Sequence, residues 1–172
     1  EVLEFLKEWT SFGFFSVLIF VFIGTLLTMI LQSSSATMAL TLVMSSYGWI
    51  PFEMAAAMVL GENIGTTITA NIAAAVANVS ARRAALAHTA FNLFGIVWVL
   101  IVFNPILRLV AMLTVSIGAG DPFVDASSTL YGISFLHTLF NLTNTLILVW
   151  FTPQIVKFVT YMIKAPKTEE VF

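Results

Sequence analysis

Apolar residues run along this chain in long stretches with few interruptions. Three stretches contain no Asp, Glu, Lys or Arg: residues 9–52, 84–107 and 126–156. Each is longer than the roughly 20 residues that cross the hydrocarbon core of a bilayer. The pattern therefore predicts an all-α, polytopic membrane helix bundle.

A polar cluster divides the first of these stretches. Residues 12–31 predict a spanning helix, and apolar residues resume over 36–44. Between them stand four polar residues in succession, Gln32, Ser33, Ser34 and Ser35. Unsatisfied polar groups in lipid cost several kcal/mol each, so these side chains should face protein or water. We predict that the helix is discontinuous here.

A second interruption is predicted in the next segment. Pro51 and Glu53 are typical of a helix start. Residues 61–67 contain two glycines, which permit unwound backbone. We therefore expect two short helices, over 54–60 and 68–79, that form a broken or re-entrant pair.

Two further spanning helices are predicted over residues 84–103 and 130–151, separated by an amphipathic stretch at 105–117 and a loop at 118–128. The pattern His-Thr-x-Phe-Asn occurs in both spanning segments, which implies two equivalent helices. The pattern starts at His88 and at His137, and we expect its asparagines, Asn92 and Asn141, to bond between helices.

Composition supports the membrane assignment. Hydrophobic residues make up 59% of the 172 residues and charged residues only 9%, against about 25% charged in soluble domains. The net charge of −2 and the lack of a dense basic cluster exclude nucleic acid as a partner. There is no cysteine, so disulfides and thiolate metal sites are excluded as well.

The positions of the basic residues predict the topology. Arg82 and Arg83 precede one crossing, and Lys157, Lys164 and Lys167 follow the next. The positive-inside rule then places the C-terminus in the cytoplasm. Residues 165–172 form a polar tail. Because the chain starts with an acidic segment and lacks an initiator methionine, we expect it to be a segment of a longer protein.

The first polar cluster has the chemistry of an anion site. A half-helix that starts there would present free backbone N–H groups at Ser34, Ser35 and Ala36, reinforced by serine hydroxyls and the helix dipole. Phosphate would suit such a site. Carbonyl groups at the end of the preceding helix, near Leu31 and Gln32, could hold a sodium ion. Alternatively, the serines bond back to their own helix or join neighbouring helices.

The second cluster has the chemistry of a cation site. The hydroxyls of Thr66, Thr67 and Thr69 could coordinate a hard cation through oxygen. Glu62 is an ionisable residue at membrane depth, which is a functional-site hypothesis by default. Its carboxylate could neutralise a cation or carry a proton. Alternatively, it extends to the membrane interface.

Together, these motifs closely resemble the type II sodium–phosphate cotransporter family in its bacterial branch. The resemblance rests on Gln-Ser-Ser-Ser-Ala-Thr from Gln32, Gly-Glu-Asn-Ile-Gly-Thr-Thr from Gly61, and Ala-Arg-Arg-Ala-Ala-Leu-Ala-His from Ala81, followed by Phe91 and Asn92. It implies one half of an inverted-repeat transporter: the second repeat, with one Gln-Ser-Ser-Ser motif, and the C-terminal helices. The whole chain would then be a single transmembrane unit.

The resemblance also implies a role for individual residues, and it explains His88 and His137 as helix-packing residues. Those expected at sodium sites are Gln32, Ser33, Glu62, Thr66 and Thr69. Those expected beside phosphate are Ser34, Ser35 and Asn63. The family usually has alanine or serine at the position of Glu62, so this residue departs from the family pattern.

The resulting prediction is sodium-coupled symport of inorganic phosphate by alternating access, in the plasma membrane, or the inner membrane of a bacterium. Sodium is the coupling ion, and no organic cofactor is expected. A second repeat, from the same full-length chain or a dimer partner, would complete the pocket. The alternatives are a sodium- or proton-coupled transporter of another oxyanion or small solute, and a non-transporting scaffold subunit. An enzyme is not expected, because no glycine-flanked serine nucleophile is present.

Overall fold

The computed structural model describes Glu4 and residues 8–165, and the regular structure within these residues is entirely helical. The predicted polar tail lies outside the described residues from position 166 onward, and Lys167 lies there too. The helices are α1 Phe14–Leu31, α2 Ser34–Ser46, α3 Phe52–Ala74, α4 Val79–Ile101, α5 Phe103–Ser116, α6 Thr129–Leu148 and α7 Thr152–Met162, with short 3-10 turns at Ala126–Ser128 and Val149–Phe151.

Three helical segments are long and apolar enough to cross a membrane: Phe14–Leu31, Val79–Ile101 and Ala126–Met162. They correspond to the three spanning helices predicted from the sequence at 12–31, 84–103 and 130–151, although the first two differ at their ends. Large apolar side chains project outward from α1, where Phe15 is 72% exposed and Phe22 65%. Such a surface suits lipid, which is as apolar as the side chains themselves. The prediction of an all-α membrane protein is confirmed.

The tightest packing in the fold joins α1 to α3. A Cβ atom added at Gly24 would overlap the backbone of Met58, and one added at Gly61 would overlap the carbonyl group of Val21. The hydroxyl of Thr25 also donates to the carbonyl oxygen of Gly61 at 3.0 Å. Small residues allow two helix backbones to approach this closely, as is typical of helix pairs in membranes.

The predicted interruption at residues 61–67 is wrong, because α3 is one continuous helix of 23 residues, Phe52–Ala74. Its glycines serve helix packing instead of unwinding. At Gly65, an added Cβ would lie 2.6 Å from the Cβ of Thr28 on α1. At about 1.5 Å per residue, α3 is roughly 35 Å long. It therefore has the length to cross a membrane, although its second half is polar.

Helix α3 lies at the centre of the bundle and contacts α1, α2, α4 and α6. Over residues 54–60 no side chain is more than 6% exposed. α1 and α2 form a hairpin, since Thr10 before α1 and Ser45 at the end of α2 line the same small cavity. The tip of this hairpin, at Gln32 and Ser33, therefore points away from both of these ends.

The amphipathic stretch predicted at 105–117 is confirmed as α5, where Leu107 and Val110 are buried and Arg108 is exposed. The start of α4 contacts the end of α7, because Arg83 Nε donates to the carbonyl oxygen of Ile163 at 3.0 Å. Arg83 is therefore at the same end of the bundle as the end of α7, as the predicted topology requires.

The predicted interhelical bonds of Asn92 and Asn141 are wrong. Each side-chain amide donates within its own helix, to the carbonyl oxygen four residues earlier. Asn144 makes the interhelical bond instead: its Nδ2 donates to the carbonyl oxygen of Phe91 at 2.9 Å. This pairing is possible because Gly95 of α4 leaves room for the Asn144 amide.

Candidate functional site

The predicted helix break between α1 and α2 is confirmed. Gln32 has left-handed backbone geometry, with φ 51° and ψ 29°, and Ser33 is extended, with φ −151° and ψ 107°. Ser33 then caps α2, because its Oγ accepts a hydrogen bond from the backbone N–H of Ala36 at 3.2 Å. Serine is a favoured residue at this position for that reason.

This cap changes which backbone groups are available to a ligand. The prediction of a free N–H at Ala36 is wrong, since Ser33 already accepts from it. The N–H groups of Ser34 and Ser35 belong to the first turn of α2, and groups in a first turn have no acceptor within their helix. They remain available for an anion. The alternative, in which the serines only satisfy their own helix, holds for Ser33.

The start of α2 opens onto a cavity of about 320 Å³. This is several times the roughly 30 Å³ that one water molecule occupies in the liquid, so a small oxyanion has room. Three helices contribute to its wall. The lining residues are Ser34, Ser35 and Met38 of α2, Glu62, Asn63 and Thr66 of α3, and His137 of α6. Glu62 and His137 lie near the midpoints of their helices, so the cavity lies near the middle of the bundle along its length.

Glu62 is buried, with 2% of its surface exposed. Its Oε1 accepts a hydrogen bond from the hydroxyl of Thr41 on α2 at 2.9 Å. Its Oε2 is buried and accepts no hydrogen bond from the described residues. The alternative in which this carboxylate extends to the membrane interface is therefore wrong.

The residues predicted for sodium are only partly brought together. Glu62 and Thr66 line the cavity, whereas Gln32, Ser33 and Thr69 do not. Gln32 is exposed at the hairpin tip. The polar side chains of α3 bond back to their own helix: Thr66 Oγ1 donates to Glu62 O at 2.8 Å, and Thr69 Oγ1 donates to Thr66 O at 2.9 Å. These hydroxyl oxygens keep lone pairs for a cation.

The residues predicted for phosphate are all in the cavity wall: Ser34, Ser35 and Asn63. The Nδ2 of Asn63 also donates to the carbonyl oxygen of Val59 at 3.0 Å. An amide nitrogen has two donors, so one remains for a ligand. This wall therefore offers backbone N–H groups, two hydroxyls and one amide to a single occupant.

His137 is the cavity residue that sequence reasoning missed, because both histidines were interpreted as helix-packing residues. His137 lines the cavity from α6, whereas His88 is exposed on α4. The repeated His-Thr-x-Phe-Asn pattern was the available signal. It marks both histidines equally and could not distinguish them.

A larger cavity, of about 570 Å³, lies near the N-terminal ends of α1 and α3. Glu53 lines it at the start of α3 and already supplies a negative charge to that helix end. Such a site is poorly suited to an anion. We therefore place the candidate site in the smaller cavity, at the break between α1 and α2.

Comparison with known proteins finds a matching family model and several relatives. The family model described as Na+/Pi-cotransporter matches residues 2–138. Sodium-dependent phosphate transport protein 2C of Mus musculus is 41% identical over 103 residues, which cover 57% of this chain and 17% of that protein. The uncharacterised protein YqeW of Bacillus subtilis is 41% identical over 78 residues, 45% of this chain and 25% of YqeW.

A longer match is to YjbB of Salmonella typhimurium, whose name describes it as a candidate inorganic phosphate export protein. It is 29% identical over 142 residues, which cover 83% of this chain and 24% of YjbB. The chain thus spans a quarter or less of the length of these relatives. No solved structure matches the chain significantly. Since the family model covers most of the sequence, the chain belongs to the Na+/Pi-cotransporter family, a family of transporters and not of enzymes.

Proposed function

We propose that this chain forms one half of a sodium-coupled phosphate transporter and that phosphate binds in the cavity at the break between α1 and α2. The observation that carries the proposal is the start of α2, where the first-turn serines Ser34 and Ser35 face a cavity at the middle of the bundle. A helix N-terminus combines free N–H groups with the positive end of the helix dipole, so it favours a phosphate oxygen.

The charge of the cavity supports coupling to a cation. Among the described residues that line it there is no lysine or arginine, and Glu62 adds a carboxylate. Burying a multiply charged anion without a counter-charge is costly. A sodium ion that binds with phosphate offsets this cost, and each ligand then tightens the binding of the other by the same factor.

We propose that sodium binds through oxygen atoms at two places. One is the break itself, where Gln32 and Ser33 follow the unpaired carbonyl groups that end α1. The other is the face of α3 that carries Glu62, Thr66 and Thr69, with Glu62 supplying the negative charge. Oxygen ligands of this kind suit a hard cation.

The other half of the site comes from a second Gln-Ser-Ser-Ser repeat, in the same full-length protein or in a partner copy. Rocking of the two repeats would expose the cavity to each side of the membrane in turn. We also propose that the C-terminus lies in the cytoplasm, since the positive-inside rule favours this side for the basic end of the bundle that carries Arg83, and that the membrane is a plasma membrane or a bacterial inner membrane.

The test is phosphate uptake by liposomes that contain the full-length protein, with and without an inward sodium gradient. Ser34→Ala and Thr66→Ala should each weaken sodium-driven uptake, by roughly tenfold in apparent affinity if about 1.4 kcal/mol of binding is lost. Ser46→Ala is the matched control, because Ser46 lies at the opposite end of α2, outside the cavity, and donates to Val43 O.

Three outcomes would contradict the proposal. Unchanged uptake in Ser34→Ala and Thr66→Ala would remove the site assignment, and stronger competition by sulfate or an amino acid than by arsenate would indicate a different solute. A scaffold subunit would show no thermal stabilisation by sodium and phosphate, whereas a protein that binds them is stabilised as their concentrations exceed the dissociation constants.

A further inference from the structure

The buried carboxylate of Glu62 has one oxygen that nothing in the described structure satisfies. Thr41 donates to Oε1, whereas Oε2 is buried and has no hydrogen-bond partner. An ionised carboxylate can only accept hydrogen bonds. Leaving a buried acceptor unpaired lowers stability, and more so when the acceptor is charged. A ligand that brings a hydrogen-bond donor to Oε2 would recover this energy.

The other polar groups in the cavity wall are mainly donors. Ser34 and Ser35 offer hydroxyl and backbone N–H groups, and Asn63 offers an amide N–H. A bare oxyanion accepts from all of these and can donate to none. Glu62 is therefore the one lining residue whose ionised form requires a donor on the ligand. His137 is the other titratable group in the wall, and its neutral ring can either donate or accept.

We infer that Glu62 selects oxyanions that carry a proton. This inference rests on the proposed phosphate site and assigns its specificity. At neutral and mildly alkaline pH, phosphate and arsenate keep at least one acidic O–H group, which can donate to Oε2. Sulfate and monofluorophosphate keep none. Repulsion between the carboxylate and the anion is similar for all doubly charged anions of this shape, so the donor decides which one binds.

Monofluorophosphate is the sharpest probe, because it has nearly the shape of hydrogen phosphate and the same charge in mildly alkaline solution but has fluorine in place of the O–H group. A site that hydrogen-bonds a substrate O–H rejects an analogue without it, because the buried polar group of the site is then left unpaired. A site that recognises only charge and shape would bind both anions equally.

The experiment uses the purified full-length protein in detergent, with saturating sodium at mildly alkaline pH, and measures displacement of radiolabelled phosphate. Arsenate should compete within a few-fold of unlabelled phosphate. Monofluorophosphate and sulfate should compete roughly tenfold to a hundredfold less well.

Two variants assign this difference to Glu62. In Glu62→Gln the side-chain amide can donate as well as accept, so the gap between phosphate and monofluorophosphate should shrink to less than about fivefold. Ser35→Ala is the matched control, because it removes a donor that all four anions share. It should weaken every anion and leave the ratio unchanged.

The outcomes separate the two proposals. Equal competition by phosphate and monofluorophosphate in the wild type would overturn the inference and leave the phosphate site intact; it would mean that Glu62 holds its own proton or faces only sodium. An unchanged ratio in Glu62→Gln would also overturn it. Failure of the wild type to bind phosphate would overturn the proposed function, and the inference with it. The wild-type comparison stands even if Glu62→Gln does not fold.

Discussion

Replacing Gly61 with alanine tests the central packing contact of the fold. A Cβ at this position would overlap the carbonyl oxygen of Val21 and would lie 2.9 Å from the backbone nitrogen of Thr25. Both are backbone atoms of α1, so no side-chain rotation can relieve the contact. α1 and α3 must move apart along the interface that they share.

The expected loss of stability follows from two opposing effects. Adding a methyl group to a fully packed contact typically costs 1–3 kcal/mol. Because the new methyl group of Gly61→Ala overlaps backbone atoms, we expect a cost of about 3 kcal/mol. Alanine is favoured over glycine inside a helix by about 1 kcal/mol. The net loss is about 2 kcal/mol, which corresponds to a fall in Tm of about 4–8 °C for a domain of this size.

Thermal unfolding of the full-length protein in detergent measures this loss. Ala84→Gly calibrates helix propensity alone, because Ala84 is exposed on α4, and it should cost about 1 kcal/mol. An unchanged or raised Tm in Gly61→Ala would refute the account. It would indicate that residues 61–67 do not pack as a continuous helix against α1.

Three further predictions concern the helix break and the loop that precedes α6. Gln32→Gly should keep or raise the Tm, because left-handed backbone geometry costs a non-glycine residue about 1–2 kcal/mol. A loss of sodium-dependent uptake in this variant would then be due to the missing Gln32 side chain. A lowered Tm would contradict the left-handed backbone geometry of Gln32. Ser33→Ala should lower stability by about 1 kcal/mol, because the N–H of Ala36 loses its acceptor. Ser33→Asp should keep the stability of the wild type, because aspartate also caps helices. Equal stability of the two variants would contradict the cap. Hydrogen bonds from the hydroxyl and the backbone N–H of Ser127 hold the pKa of Asp125 below its ordinary value. The contact between Ser127 and Asp125 should therefore be fully present at a pH above the ordinary pKa of aspartate, and it should be lost as the pH falls through the lowered pKa of Asp125. The protection of the Ser127 amide against hydrogen exchange should therefore fall in acid, and equal protection in Asp125→Ala at neutral pH would contradict this.

The break between α1 and α2 was predictable because the sequence carries the local cause. The apolar run stops at Gln32, and Ser33 is a residue type that caps helices. The same local reasoning failed at Gly61 and Gly65. Glycine permits both unwinding and close approach of another helix, and only the position of α1 shows that these glycines serve packing.

The residues that line the cavity were likewise predictable where the cause is local and not where it depends on tertiary packing. Ser34, Ser35 and Asn63 lie in motifs that are informative on their own, and all three line the cavity. His137 belongs to a helix more than 70 residues away in sequence from Glu62, and its place in the wall depends on how α6 packs against α2 and α3. A repeated pattern does not contain that information.

The most direct test of the central claim is to locate the anion in crystals of the full-length protein grown with sodium and arsenate, whose arsenic atom can be identified by anomalous scattering. The account predicts one peak within hydrogen-bonding distance of the Ser34 and Ser35 N–H groups and of the Asn63 amide. A peak in the larger cavity beside Glu53, with none at the start of α2, would contradict it.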